Sequence, residues 1–208
     1  RVDRALIDGE RKDLGDVALR ILADKLHEIT LILPEDRVAA LRKLPIQIDA
    51  RHPLSNMQYH PDRGWLVKNG YDPALTKYVH IPRAQRLVSL TRKYAQPAVI
   101  IHELAHSYHD QVLGFDDPDI MAAYERVKKS GILDRVTHID GHATKHYALT
   151  NHKEFFAEMT ESMLGTNDFY PFVRGELKNA DKETYDLLKK IWLDAPKRRS
   201  DEESESDK

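Results

Sequence analysis

The chain has 208 residues, 41% hydrophobic and 32% charged, with a formal net charge of −2 and no cysteine. That is enough apolar material for one domain, or two lobes sharing a cleft, under a soluble surface. The charge balance gives no case for nucleic acid, no apolar run approaches the ~18 residues of a membrane-spanning helix, and the absence of Cys excludes thiolate ligands, a Cys nucleophile and disulfides.

Asp16 to about Leu33 carries Val17, Ile21, Leu22, Leu26 and Ile29 at helical spacing, with Pro34 as its stop. Pro34–Leu44 reads as a short second helix and Pro45–Ala50 as a strand. From Arg51 to Tyr71 the chain is rich in Pro, Gly, Asn and aromatics, which predicts an ordered loop or hairpin in which His52 and His60 are structural. Lys77–Pro82 alternates and ends in proline, so it is expected to be an edge strand. A peptide adding to that edge would meet Tyr78 and His80, the candidate substrate-binding residues. Arg83–Tyr94 is a helix or partly helical connector.

Pro97 opens a helix that runs to about Leu113, with Gly114 as its stop. Asp117-Pro118 starts another, ending near Ser130-Gly131. Leu133–Ile139 reads as a strand or extended loop and Gly141–Thr150 as a loop. Asn151 caps a helix over 151–164, closed by Gly165. An aromatic turn over Asp168–Phe172 and two closing helices, about 171–178 and 181–193, complete a domain over 1–194. Residues 195–208 have no large apolar residue after Pro196 and are expected to form a disordered charged tail. A chain opening on Arg1 reads as a processed or trimmed form, or a fragment; the expected location is secreted or periplasmic.

Inside the helix that follows Pro97 sits His-Glu-x-x-His: His102, Glu103 and His106. Residues four apart lie on one helical face, so the two imidazoles can hold one metal ion. Glu103, one step round, takes the general-base position of a zinc peptidase. The competing reading is a chance match on an amphipathic helix. Against it, Val99, Ile100, Ile101, Leu104, Ala105 and Tyr108 give the helix an apolar body, in which two His and a Glu would be costly without partners.

A catalytic zinc needs a third protein ligand. His109 lies on the same side of the helix but further along, as an outer partner or a surface residue; Asp110 is a surface carboxylate or a buttress for His106. Better candidates lie in the helix after Asn151, where Glu154 and Glu158 are one turn apart on one face. One can reach the metal and the other can orient a ligand His. Spacing alone does not choose between them, and Glu154 also has the position of a capping-box carboxylate.

Tyr147, Asn151 and Glu154-Phe-Phe-Ala-Glu158, downstream of His-Glu-x-x-His, resemble the zinc-peptidase domain of anthrax toxin lethal factor and its relatives, including the Pro-Pro endopeptidases. The resemblance covers about Pro97 to Gly165. It implies a gluzincin that binds one Zn²⁺ through His102, His106 and Glu154, with Glu103 as general base, Tyr147 stabilising the oxyanion and Glu158 behind the ligands. His142 and His146 are alternative oxyanion donors. The expected fold class is α+β: a mostly helical, zincin-like domain with a small sheet and an edge strand beside the active-site helix. The expected function is endopeptidase action on a peptide or protein substrate; the alternatives are an inactive zinc-binding interaction domain and a metal-dependent hydrolase of small amides.

Overall fold

A computed structural model describes residues 1–194; the tail expected at 195–208 lies outside the described residues. After a 3-10 turn, Arg4–Leu6, the elements in order are α1 (Lys12–Ile32), α2 (Glu35–Leu41), β1 (Ile46–Ile48), β2 (Gln58–Tyr59), α3 (Arg63–Lys68), β3 (Val79–Ile81), α4 (Gln85–Val88) and α5 (Leu90–Ala95). Then follow α6 (Val99–Tyr108), α7 (Pro118–Ser130), β4 (Val136–Thr137), β5 (Ala143–Thr144), α8 (His152–Leu164), α9 (Arg174–Ala180) and α10 (Lys182–Trp192). The class is α+β and mostly helical. None of the described helices is long and apolar enough to cross a membrane.

The core is built around α8, in which every residue from Phe155 to Leu164 is buried. Helices α6, α7, α9 and α10 pack on it. Trp192 of α10 donates its indole N–H to Thr160 Oγ1 (3.0 Å) and stacks on Phe156, while Tyr108 of α6 lies 4.5 Å from it between ring centroids. Gly165 lets the end of α8 approach the start of α6: a Cβ there would stand 2.9 Å from Ile101 Cδ1 and 3.3 Å from the Ala98 methyl. This close crossing sets the two helices that carry the candidate ligands face to face.

Helix α1 starts at Lys12, a turn earlier than the apolar spacing indicates, because its first turn sits on the preceding 3-10 turn. A Cβ on Gly15 would lie 1.9 Å from the Leu6 carbonyl oxygen. In an open helix Gly→Ala stabilises by about 1 kcal/mol. Here the sign reverses: Gly15→Ala is expected to lower unfolding free energy by about 1–3 kcal/mol, the usual cost of overpacking, as read from denaturant melts.

The three-stranded sheet has the order β1-β3-β2, with β1 parallel and β2 antiparallel to β3. The strand expected at the edge, within Lys77–Pro82, is therefore the central one. Pro82 falls just past the last paired residue, where its missing N–H costs no ladder bond. The true edge beside α6 is β2, two residues long and too short to show an alternating pattern. Val2 bridges to Ile48 on the other side of β1.

Candidate metal centre

Helix α6 presents His102 and His106 toward α8, and Asn151 fixes where α8 begins. Its Oδ1 accepts the N–H groups of Lys153 (2.9 Å) and Glu154 (3.0 Å). The Glu154 carboxylate turns to the imidazoles rather than back to the cap. His102 Nε2, His106 Nε2 and Glu154 Oε2 form a triangle with sides of 3.0, 3.1 and 3.2 Å. Donor atoms of a tetrahedral zinc site with ~2.0–2.1 Å bonds stand about 3.3 Å apart, so the triangle fits that ion.

The hydrogen bond behind His102 supports the same reading. Its Nδ1 donates to Glu161 Oε1 at 2.7 Å, which leaves the lone pair on Nε2, inside the triangle. Lone pairs and a carboxylate this close repel unless a cation or a proton lies among them. Burial opposes charge on His102, yet the bonds to Glu154 and Glu161 outweigh it and raise its pKa well above the ordinary value. Burial likewise opposes charge on Glu154, but its bonds to His102 and His106 pull its pKa down.

Glu158, expected as the carboxylate behind the ligands, stands 3.4 Å from His102 Nδ1, and Glu161 makes the shorter contact. Both are about 3% exposed. Burial raises both pKa values; the charge of Glu161 pushes Glu158 further up, and the His102 bond pulls Glu161 part of the way back. Glu161 was legible in principle, since it lies seven residues, or two turns, beyond Glu154. Glu161→Gln is expected to weaken metal affinity by about 10–100-fold, the usual cost of an altered outer-shell partner, and Glu158→Gln by less. Competition with a chromogenic chelator measures both.

Glu103 is 6% exposed, and its Oε2 accepts the Tyr59 N–H of β2 at 2.7 Å. The edge strand thus holds one carboxylate oxygen, while the side chain still lines the cleft. The cleft encloses about 640 Å³; its lining includes His102, Glu103, Tyr147, Glu158, Glu161 and Asp168 together with Asn56, Met57 and residues of α4 and α5. Tyr147 is 48% exposed, at the head of a 3-10 turn packed on α8. Burial raises its phenol pKa, and the charge of Glu154 raises it further, so it stays a hydroxyl donor at neutral pH.

Other expected residues fall elsewhere. His80 is fully buried, its Nε2 on Asp49 Oδ2 (2.8 Å) and its Nδ1 facing His60 Nε2 (3.1 Å), so it cannot touch a substrate. The central position of β3 leaves no free edge there for a peptide to join. Tyr78 has the Arg1 guanidinium over its ring and does not line the cleft. His109, expected as an outer partner or surface residue, is buried among Phe115, His152 and Phe156 in a π-helical turn, His109–Leu113, that prolongs α6. Asp110 accepts the Tyr59 hydroxyl at 2.6 Å and pairs with Lys77, tying α6 to the sheet side rather than to His106. His146 is buried against Phe169, His142 is exposed on the β4–β5 turn, and neither lines the cleft. His138 and Asp168, not singled out in the sequence, do line it.

Compared with protein families, with curated proteins and with solved structures, the chain matches none.

Proposed function

We propose that the chain is a zinc-dependent endopeptidase of the gluzincin type, in keeping with the resemblance to lethal factor and the Pro-Pro endopeptidases. The observation that carries this reading is the convergence of His102 Nε2, His106 Nε2 and Glu154 Oε2 beside a tethered Glu103, with His102 and Glu103 lining a cleft. Zinc, when bound, acidifies a water molecule and polarises a carbonyl group.

The chain's own residues do the rest. Glu103, with Oε2 fixed by the Tyr59 N–H, has its other oxygen to take a proton from the attacking water and return it to the leaving amine. Fixing the carboxylate in advance lowers the entropy cost of that transfer. Tyr147 offers its hydroxyl to the carbonyl oxygen as charge builds there. Glu161 holds His102 in the tautomer that points a lone pair at the metal.

The test is elemental analysis followed by an unstructured peptide library. About one zinc per chain is expected, with cleavage of internal peptide bonds that stops on chelation and returns with zinc. A chain that takes up no zinc after incubation with the ion, or a zinc-loaded chain that cuts nothing, would remove the peptidase reading.

A further inference from the structure

The part of the cleft lining that comes from α4 and α5 has a different chemistry. Residues 73–102 contain five Lys or Arg and no Asp or Glu, in a chain that is otherwise slightly acidic. Three of these cations, Arg86 on α4 and Arg92 and Lys93 on α5, line the same cleft as His102 and Glu103 of α6. None of the three has a carboxylate within salt-bridge distance among the described residues. Arg86 is half-buried, and among the described residues its Nη2 donates only to the neutral Asn56 Oδ1 (2.9 Å). Burial and the charges of Arg92 and Arg83 lower its pKa.

Neighbouring Arg83 makes the contrast. Its guanidinium donates to the carbonyls of His52, Pro53 and Leu54 and so pins the loop before β2. Among the described residues, Arg86, Arg92 and Lys93 hold no loop in place in that way. Grouped like charges repel one another, and a bound anion relieves that repulsion.

We infer that this wall of the cleft binds acidic side chains of the substrate, so that the chain selects peptides carrying Asp or Glu to one side of the segment lying at the metal centre. The inference rests on the peptidase reading for its occupant. Glu103 of α6, Glu158 and Glu161 of α8, and Asp168 just beyond it also line the cleft. A nucleic acid running along the cleft would bring its phosphates against those carboxylates. A peptide acidic at one end only avoids that conflict.

The experiment is fluorescence anisotropy on the zinc-loaded full chain carrying Glu103→Gln, which keeps the peptide uncut. The probes are labelled peptides with an apolar centre flanked on one side by three Glu, three Gln or three Lys. The Glu peptide is expected to bind at least about tenfold more tightly than the Gln peptide, and the Lys peptide more weakly than either, with the preference fading as ionic strength rises. Arg86→Gln with Arg92→Gln, at a half-buried and an exposed position, is expected to erase the Glu preference while leaving Gln-peptide binding unchanged. Equal binding of the three peptides, an unchanged preference in the double variant, or tighter binding of a single-stranded oligonucleotide than of the Glu peptide would overturn the inference. Because binding is read without turnover, an acidic preference in a chain that cleaves nothing would remove the peptidase reading and keep this one. Cleavage without such a preference would do the reverse.

Discussion

Glu154→Ala is expected to leave the chain folded and almost free of zinc. The fold should survive because the capping of α8 does not use this side chain: Asn151 Oδ1 accepts the backbone N–H groups of residues 153 and 154, and an alanine keeps both. The buried face of α8 from Phe155 onward is untouched. The metal should be lost because no other carboxylate among the described residues groups with both His102 and His106. Glu158 and Glu161 approach His102 from its Nδ1 side, at 3.4 and 2.7 Å, whereas the ligand triangle is closed at Nε2. Two imidazoles would remain. A loss well beyond the ~10–100-fold tied to outer-shell partners is expected, on the order of 10³-fold or more. Elemental analysis, with a thermal melt as the folding control, reads both outcomes. A variant that keeps its zinc would move the third ligand elsewhere and break the parallel with lethal factor; one that unfolds would make Glu154 a structural residue.

The same comparison shows what a sequence can disclose here. The α6 and α8 segments were legible because each states its limits chemically: Pro97 before one and Gly114 after the π turn, Asn151 and Gly165 around the other. The spacing of His102, His106 and Glu154 then reports helical faces, since four residues make about one turn. Whether those faces meet is a tertiary fact, set by the close crossing at Gly165. The sheet was harder to read. Strands of two and three residues carry too little periodicity, and the proline at 82 gave a misleading edge signal. His80 looked like a residue on an open strand because its partners, Asp49 and His60, lie 31 and 20 residues away in sequence. Glu161 was hidden for a related reason: spacing put it on the face of Glu154, but only the packing of α8 on α6 decides which carboxylate meets His102 Nδ1. The basic wall was masked by the near-neutral total, which averages 73–102 with the acidic remainder.

Glu103→Gln is expected to retain zinc and lose turnover by about 10²–10⁴-fold, the usual range for a positioned general base. The substitution nearly conserves shape and hydrogen bonding. The amide oxygen can still accept the Tyr59 N–H that now binds Oε2 at 2.7 Å, so β2 should stay seated against α6. With the oxygen committed there, the NH₂ group takes the place of the free carboxylate oxygen and presents a donor where the reaction needs an acceptor. Metal affinity should change little, because Glu103 belongs neither to the ligand triangle nor to the Glu161–His102 bond that orients it. The measurement is kcat/KM on a cleaved library peptide together with zinc content. Equal loss of zinc and rate would show that Glu103 serves the sheet–helix junction rather than the chemistry. A rate near that of the parent would mean that proton transfer runs through another group lining the cleft, with His138 and Asp168 the next to replace.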